Sequence, residues 1–196
     1  EYEGKIDLRN PNSSHTKLLK RVPRGSLVLE WGPASGYLTR WMKEEAACRM
    51  VGVEIDAEAA RKAEPWFERL IVADADRLDF AATFPDSGTF DVILFPDVLE
   101  HLTDPWRVVR ECRRLLRDDG RMIASIPNVG HAAVVLRLME GRFDYRPLGL
   151  LDRTHLRFFT RKSLRELFEE NGFVVTDIEE VKEKPETCEL KVDPSG

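Results

Sequence analysis

The chain has 196 residues, which is enough for one domain with a sizeable core and small for two. Hydrophobic residues make up 42% and charged residues 33%, as in an ordinary globular protein, and no apolar run approaches the roughly 20 residues that cross a bilayer. The net charge of -5 argues against a general nucleic-acid binder, and three widely spaced cysteines indicate neither disulfides nor a zinc cluster. With no signal peptide visible, we expect a cytoplasmic protein with no membrane span and no nucleic-acid partner.

Strand-like and helix-like segments alternate from the beginning of the chain. A helix capped by Asn12 or Ser13 is predicted at "SSHTKLLKRV", followed by a buried strand at "SLVLEW" and a helix at "GYLTRWMKEE". A second strand, "RMVGVE", leads into the helix "DAEAARKAEPWF", for which Asp56 is the expected N-cap. "RLIVAD" and "FDVILF" are predicted as the third and fourth strands.

The same alternation continues in the second half of the chain. The amphipathic segment "DPWRVVRECRRLLRDDG" predicts a helix that begins after Asp104 and stops at Gly120, and "RMIASIP" predicts the fifth strand. Further along, "RKSLRELFEENG" predicts a helix and "FVVTDIEEV" a strand. Either "CELKV" is the shortened partner of that strand, or the last strand of the sheet is missing from this sequence. Such alternation predicts right-handed βαβ units. The expected fold class is therefore α/β, with a doubly wound, mostly parallel sheet.

Acidic residues stand at the ends of the first three predicted strands, and an acidic run follows the fourth. They are Glu30, Glu54, Asp74 and the run "PDVLEH" at residues 96–101. In open parallel sheets, ligands bind outside the carboxyl ends of the strands. Each residue alone is typical of a solvated loop or a helix cap, but together they predict one ligand site at this edge.

The loop between Gly32 and Gly36 discriminates between two classes of ligand. Its glycines let backbone approach a ligand closely, as in dinucleotide-binding loops. Here, however, Glu30 holds the place of the first glycine of G-x-G-x-x-G, where its charge would repel a phosphate and suit a cationic ligand. A carboxylate at Glu54 fits a ribose in either class, and one at Asp74 fits an adenine amine. A nicotinamide-dependent oxidoreductase is thus the less favoured reading.

The motifs "VLEWGPASG", "VGVEID", "VADAD" and "FDVILFPDVLEHLTDP", followed by "LLRDDGRMIASIPN", resemble those of class I S-adenosylmethionine-dependent methyltransferases over Leu27–Asn128. The flanking stretches "NPNSSHTKLL" and "GRFDYRPLGLLDRTHLRFFT" resemble a bacterial subgroup often fused to, or encoded beside, glycosyltransferases. This resemblance implies a Rossmann-like fold, here with an incomplete last antiparallel hairpin. It also implies S-adenosylmethionine as cofactor and S-adenosylhomocysteine as product.

The resemblance also implies the residues that hold the cofactor. The methionine part would be wrapped by Gly32, Pro33, Ala34, Ser35 and Gly36, with Glu30 near the ammonium and sulfonium or ordering the loop. The nucleoside would be held by Glu54 at the ribose, Ile55 on the adenine face, and Asp74 and Ala75 at the adenine edge, above a floor of Phe95, Pro96 and Asp97. Ala34 replaces the middle glycine of the usual G-x-G-x-G loop. We expect Ala34 to adopt an ordinary φ, or the loop to be slightly reshaped.

Methylation of a hydroxyl needs a general base, and histidines are the candidates. His101 and His155 are the predicted catalytic residues, although each is also typical of a structural histidine. His131 is expected at a helix cap or near the substrate, and His15 either in a lid over the cofactor or in a structural position of the N-terminal helix. Because the four histidines lack close metal-ligand spacing, we predict a reaction without a metal.

The segment 142–165 contains seven basic residues against two acidic ones. It either forms a solvated face or caps the acceptor site and attracts an anionic substrate. The residues expected to bind that substrate are His131, Tyr145, Arg146, Arg153 and Arg157. Its aromatic residues more often pack such an insert onto a sheet than stack on bases.

We therefore predict a single methyltransferase domain over residues 1–196. It comprises an N-terminal helix or lid (1–25), a cofactor-binding core (26–128), a substrate-covering insert (129–162) and a C-terminal helix and strand (163–196). The predicted reaction is O-methylation of a sugar-containing or other small anionic acceptor. The alternatives are a non-catalytic cofactor-binding module serving a glycosyltransferase, and the oxidoreductase. The expected protein partner is a second copy in a homodimer, or a fused or neighbouring glycosyltransferase.

Overall fold

A computed structural model describes residues 8–182. Its centre is a five-stranded sheet in the order β3-β2-β1-β4-β5, and all four neighbouring pairs are parallel. The strands are β1 (Leu27–Trp31), β2 (Arg49–Glu54), β3 (Arg69–Val72), β4 (Phe90–Pro96) and β5 (Leu116–Ser125). The strand order reverses between β1 and β4, which is where such a sheet opens a crevice for a ligand. The predicted α/β fold with a parallel sheet is confirmed.

Seven α-helices connect or cover these strands within residues 8–182. They are α1 (Ser14–Leu19), α2 (Tyr37–Ala46), α3 (Ala57–Ala63), α4 (Phe80–Thr83), α5 (Pro105–Leu115), α6 (Ala132–Met139) and α7 (Arg161–Glu169). Two of the predicted caps are present, because Asp56 accepts hydrogen bonds from the Glu58 and Ala59 amides and Asp104 accepts one from the Arg107 amide. Ser13 occupies the N-cap position of α1, but its side chain makes no capping hydrogen bond. A short 3-10 turn, Leu99–His101, follows β4.

The core lies on both faces of the sheet because successive residues of a strand point to opposite faces. On one face Trp31 stacks on Phe95, with ring centroids 5.7 Å apart, and Cys112 of α5 joins the same apolar cluster. On the other face Val28 packs in a cluster with Leu38 of α2 and residues of α1. Burial on both faces explains why β1 and β4 are almost wholly apolar.

The boundary between α5 and β5 differs from the prediction. The helix ends at Leu115 and the strand begins at Leu116, so Gly120 lies in the strand and does not stop the helix. Phe90 pairs with Leu116, but Val92 already pairs with Arg121, so β5 carries extra residues opposite β4. Through this irregular pairing, residues 117–120 ("RDDG") become part of the edge strand β5.

The predicted strand "FVVTDIEEV" is wrong, since residues 173–181 form no strand in the structure. Instead this segment lies beside α1. Arg21 donates to Asp177 at 2.5 Å and to Glu179 at 2.6 Å, and the Lys182 amide donates to Asn12 Oδ1 at 2.9 Å. Side-chain contacts with Lys17 of α1, and with Asn12 and Arg21 on either side of that helix, therefore hold it where sheet pairing was expected. The predicted partner strand "CELKV" lies outside the described residues.

The predicted insert forms a small unit that packs against the turn after β4. Ala133 and Val134 of α6 form a separate apolar cluster with Leu151. The backbone amides of Leu156 and Arg157 both donate to the carbonyl of Glu100, at 2.8 and 2.9 Å. These two hydrogen bonds fix the far end of the insert directly beside the carboxyl end of the sheet.

Candidate functional site

An open cleft lies at the carboxyl ends of the strands. It is lined by residues from the β1, β2, β3 and β4 ends, from α1 and from the insert, and it continues along β5 to α7 and residues 172–181. The predicted site residues among them are Gly32, Ala34, Glu54, Ile55, Asp74, Ala75, Pro96, Asp97, His101, His131 and His155. The fold thus brings together side chains that lie far apart in the sequence.

The loop after β1 has three left-handed residues, Gly32 at φ 61°, Ala34 at φ 50° and Gly36 at φ 79°. A Cβ atom on Gly32 would lie 2.7 Å from Val98 Cγ2, so only glycine fits there. The expectation that Ala34 adopts an ordinary φ is wrong: alanine keeps the left-handed backbone that a glycine would adopt freely. Pro33 is buried, and its carbonyl accepts from the Gly36 amide at 2.8 Å, which closes the turn.

Glu54 holds this loop in place. Its Oε2 accepts from the Ala34 amide at 2.8 Å, and its Oε1 accepts from the Asp56 amide at 2.9 Å. One carboxylate therefore ties the glycine loop to the start of α3. Because a carboxylate oxygen has more than one lone pair, both oxygens retain capacity for ligand hydroxyls. This tether could not be predicted from the sequence, since it depends on how β1 and β2 lie side by side.

Glu30 lies beneath the loop and does not line the cleft. Its side chain is fully buried, and Thr39 Oγ1 donates to Oε2 at 2.6 Å. Its other oxygen, Oε1, has no hydrogen-bond partner among residues 8–182. Burial, aided by the charge of Glu54 and opposed by the Thr39 hydrogen bond, raises the pKa of Glu30 to about 7. Ionisation of this carboxyl is therefore favoured by any cation placed near it.

The ends of β2 and β3 expose apolar side chains beside polar ones. Ile55 is 68% exposed, although it is a large hydrophobic residue at the cleft. Asp74 Oδ1 accepts from the Asp76 amide at 2.9 Å, and the Ala75 carbonyl accepts from Arg107 at 2.7 Å. A flat apolar ligand group therefore finds an uncovered surface on Ile55, with the Asp74 carboxylate near its edge.

Of the three predicted floor residues, only two line the cleft. Phe95 is fully buried in the core against Trp31. Asp97 has a left-handed φ of 53°, and its amide donates to the Ser125 carbonyl at 3.1 Å, while Ser125 Oγ donates to the Asp97 carboxylate at 2.8 Å. These bonds hold the Asp97 side chain between the ends of β4 and β5.

His101 and His155 form a close pair at the inner wall of the cleft. Their rings are 4.8 Å apart in an edge-to-face arrangement. His101 Nδ1 lies 3.2 Å from Thr154 Oγ1, and the His155 ring is hydrogen-bonded to the Leu150 carbonyl. Burial and the positive charge of His101 lower the pKa of His155, against the opposing effect of Asp152. His155 is therefore neutral at physiological pH and able to accept a proton.

Glu100 adjoins this histidine pair. It is only 1% exposed, and apart from a contact with its own backbone amide neither carboxylate oxygen has a hydrogen-bond partner among residues 8–182. Burial, followed by the charges of Asp97 and Asp152, raises its pKa well above the usual range. Glu100 was not among the predicted site residues, because the sequence around it gives no sign that the insert covers the turn after β4.

The other predicted residues occupy varied positions. His131 lines the cleft and caps α6, its Nδ1 accepting from the Ala133 amide at 3.3 Å. His15 in α1 also lines the cleft, 3.2 Å from the Tyr37 hydroxyl. The remaining predicted substrate residues lie outside the cleft lining; they are Tyr145, Arg146, Arg153 and Arg157. Ser35, half-buried, stands in the glycine loop behind the cleft.

Comparison with known proteins identifies the family. Residues 6–178 match the family described as "Methyltransferase domain". The chain belongs to this methyltransferase domain family. The predicted methyltransferase class is thereby confirmed.

Two sequence relatives and one solved structure are similar to this chain. It is 25% identical over 171 residues to a ubiquinone biosynthesis O-methyltransferase of Psychrobacter arcticus, covering 85% of this chain and 66% of the relative. It is 30% identical over 168 residues to a malonyl-[acyl-carrier protein] O-methyltransferase of Geobacter sulfurreducens, covering 81% and 61%. The chain thus spans about two thirds or less of these relatives' lengths. A solved S-adenosylmethionine-dependent methyltransferase of Archaeoglobus fulgidus shares the fold, with TM-score 0.60 and 19% identity over 85% of this chain and 66% of that one.

The cleft of the methyltransferase domain fits the cofactor of its class. Glu30 does not line the cleft, so its buried, half-satisfied carboxyl would favour a sulfonium or ammonium group there only through the electrostatic field and not by direct contact. Val98 fills the space that a side chain on Gly32 would need, and the exposed Ile55 offers an apolar surface for a nucleobase. Within residues 8–182, every helix is too short or too polar to cross a membrane.

Proposed function

We propose that this chain transfers a methyl group from S-adenosylmethionine to an oxygen atom of a small anionic acceptor, with sugar-containing acceptors as the preferred class. The observation that carries the proposal is the position of the His101–His155 pair in the same cleft as the glycine loop and Glu54. The two O-methyltransferase relatives support oxygen as the methylated atom.

The cofactor end of the cleft is assigned to residues of β1, β2 and β3. The Gly32–Gly36 loop would enclose the methionine part, Glu54 the ribose hydroxyls, and Ile55 with Asp74 the adenine. When bound, S-adenosylmethionine supplies a methyl group already activated by a sulfonium. The protein then needs chiefly to align an acceptor with that group and to remove the acceptor's proton.

The acceptor end is assigned to the histidine pair. His155 is neutral because burial lowers its pKa, and its ring is oriented by the Leu150 carbonyl. A neutral imidazole facing a hydroxyl accepts its proton as the new O–C bond forms. His101, held by Thr154, keeps the neighbouring ring in position.

The anionic character of the acceptor rests on the basic excess of the segment 142–165. Two of its basic residues, Arg161 and Arg165, line the part of this surface beside β5 and residues 172–181, where they pair with Glu180 and Glu169. A negatively charged acceptor would compete for these exposed pairs, which are individually weak.

A methyl-transfer screen tests this function. Radiolabelled S-adenosylmethionine is incubated with nucleotide sugars, lipid-linked glycans, phenols and carboxylates, and the methylated product is hydrolysed to distinguish ethers from esters. We expect transfer to a hydroxyl of an anionic acceptor, and a loss of about 100-fold or more in kcat in His155→Ala. Cofactor binding without transfer to any acceptor would instead indicate the non-catalytic binding module.

A further inference from the structure

We propose that Glu100, His101 and His155 bind a divalent transition-metal ion at the inner wall of the cleft. One ligand atom from each of these side chains lies within 4.8 Å of the others. Two ligands come from the turn after β4 and the third from the insert, 54 residues later in the sequence (155 − 101). The sequence spacing that argued against a metal therefore does not describe the folded arrangement.

Glu100 supplies an independent observation that points to a cation. Its side chain is 1% exposed, yet apart from a contact with its own backbone amide both carboxylate oxygens are without a hydrogen-bond partner in the part of the chain that the structure describes. A buried polar group in this state is costly, and native proteins rarely leave one unsatisfied. A metal ion bridging Glu100 to the two imidazoles would satisfy it at once.

The surrounding hydrogen bonds orient both histidines as metal ligands require. The His101 Nδ1 atom lies 3.3 Å from the Thr154 carbonyl and 3.2 Å from Thr154 Oγ1, which leaves Nε2 available. One ring nitrogen of His155 is engaged by the Leu150 carbonyl, which leaves the other available. Asp152 accepts from both the amide and the hydroxyl of Thr154 at 2.8 Å. Such outer contacts are typical of metal-binding histidines, whose second nitrogen donates to a carbonyl or carboxylate.

Position and charge also favour a cation here. The amides of Leu156 and Arg157 fix the insert to the Glu100 carbonyl, so the ligands are held by backbone hydrogen bonds on both sides. Asp97 and Asp152 stand close enough to act electrostatically on Glu100. Three carboxyl groups around two imidazoles make the site attractive to a positive ion.

The donor set indicates the kind of ion. Two imidazoles and one carboxylate suit zinc, cobalt, nickel, iron or manganese, whereas calcium and magnesium prefer oxygen ligands alone. We assign zinc as the preferred ion. Three protein ligands leave a further coordination position open, as in catalytic zinc sites.

The open position gives the ion a role that rests on the proposed function. An acceptor hydroxyl bound there would lose its proton to solvent more readily, because a metal lowers the pKa of a coordinated oxygen. The O–H bond breaks first; the new O–C bond then forms as the S–C bond of the cofactor breaks, with no change of oxidation state. In the metal-bound protein the two histidines would assist deprotonation as ligands, in place of acting as free bases.

Metal titration of the purified chain tests the site without reference to activity. Protein stripped with EDTA and desalted is titrated with zinc chloride by calorimetry and with cobalt chloride by visible absorption. We expect one equivalent of zinc to bind, and cobalt to give a ligand-field band. Glu100→Gln, His101→Ala and His155→Ala should each weaken zinc binding at least tenfold. His131→Ala, which removes another imidazole from the same cleft, is the matched control and should bind zinc as the unaltered chain does.

Folding and cofactor binding are checked separately, by circular dichroism and by titration with S-adenosylhomocysteine. If Glu100→Gln does not fold, the milder His155→Gln variant gives the same comparison. The proposal is overturned if the stripped protein binds no zinc, or if the three ligand variants bind it as tightly as His131→Ala. Full methyl transfer in EDTA would preserve the proposed function and remove the metal from it. Zinc binding without S-adenosylhomocysteine binding would support the metal site and overturn the proposed function.

Discussion

The left-handed backbone of Ala34 is a residue-scale feature with a measurable consequence. An L-residue with φ near 50° destabilises the folded chain by about 1–2 kcal/mol relative to ordinary backbone, and glycine avoids that cost. Glycine in turn lowers stability by about 0.5–1 kcal/mol, because it gives the unfolded chain more conformational freedom. We therefore expect Ala34→Gly to raise the free energy of unfolding by up to about 1 kcal/mol, measured by urea denaturation. Ala59→Gly in α3 is the control and should lower it by about 1 kcal/mol. Equal losses in both variants would contradict the left-handed assignment.

Glu30 predicts a second residue-scale effect, on the pH dependence of stability. Its pKa is about 7 in the folded chain, raised above the ordinary 4.5 by burial. A carboxyl whose folded pKa is raised stabilises the protein at low pH, and that contribution disappears as pH rises from about 4.5 to 7. Glu30→Gln cannot ionise, so the variant should match the unaltered chain near pH 4.5. It should exceed the unaltered chain's free energy of unfolding by about 3 kcal/mol at pH 8.

The test of Glu30 is the difference in the free energy of unfolding between Glu30→Gln and the unaltered chain, measured by chemical denaturation at each pH. The contributions of the other titrating groups are common to both proteins and drop out of this difference. Glu58→Gln, at an exposed position in the first turn of α3, is the control and should show a difference that is small at every pH. A Glu30→Gln difference that is the same at pH 4.5 and pH 8 would show that this carboxyl keeps its ordinary pKa in the folded chain.

At the scale of elements, the strands were predictable wherever the pattern reflects burial on both faces. "FDVILF" and "SLVLEW" are apolar because helices cover both sides of β4 and β1, and a run of that kind has few other interpretations. The end of α5 was not predictable, because residues 116–120 join the sheet through pairing with Phe90 on a distant strand. Residues 173–181 have a strand-like sequence, but the acidic side chains of Asp177 and Glu179 bind Arg21, just after α1.

The contact between Arg21, just after α1, and residues 173–182 predicts a local effect on the mobility of that segment. Arg21 joins Asp177 and Glu179, and all three side chains are between 35% and 59% exposed. Pairs at such positions contribute little to global stability, so Arg21→Ala should change the free energy of unfolding by less than about 1 kcal/mol. Hydrogen exchange of the amides in 173–182 should nevertheless become faster. Lys162→Ala, which removes the exposed pair with Glu166 in α7, is the control and should leave that segment's exchange unchanged. Unaltered exchange in Arg21→Ala would show that other contacts hold the segment.

At the scale of the whole molecule, the cofactor end of the site could be predicted from sequence, and much of the acceptor end could not. Glu54 and Asp74 end strands of one parallel sheet, so their convergence follows from the alternation of elements alone. The His101–His155 pair was predicted as two separate candidates, because their contact depends on how the insert packs on the turn after β4. The burial of Glu100 depends on the same packing. The arginines of the insert were selected on charge, which does not determine which of them lines the cleft.

The convergence of β1, β2, β3 and β4 at one cleft predicts that the cofactor stabilises the whole sheet. A ligand that binds only the folded chain adds about 2.7 kcal/mol at 100 times its Kd, which corresponds to a rise in Tm of roughly 5–10 °C for a domain of this size. We expect S-adenosylhomocysteine to give such a shift in a thermal-unfolding assay, and NAD at the same concentration to give none. Glu54→Ala should need a ligand concentration higher by roughly 5- to 150-fold for the same rise, since it loses about 1–3 kcal/mol of hydrogen bonding. Glu64→Ala, exposed on the turn after α3, should behave as the unaltered chain. A rise in Tm with NAD and none with S-adenosylhomocysteine would mean that the cleft beside Gly32 accepts a diphosphate. The assignment of Glu30 to a cationic ligand would then be wrong.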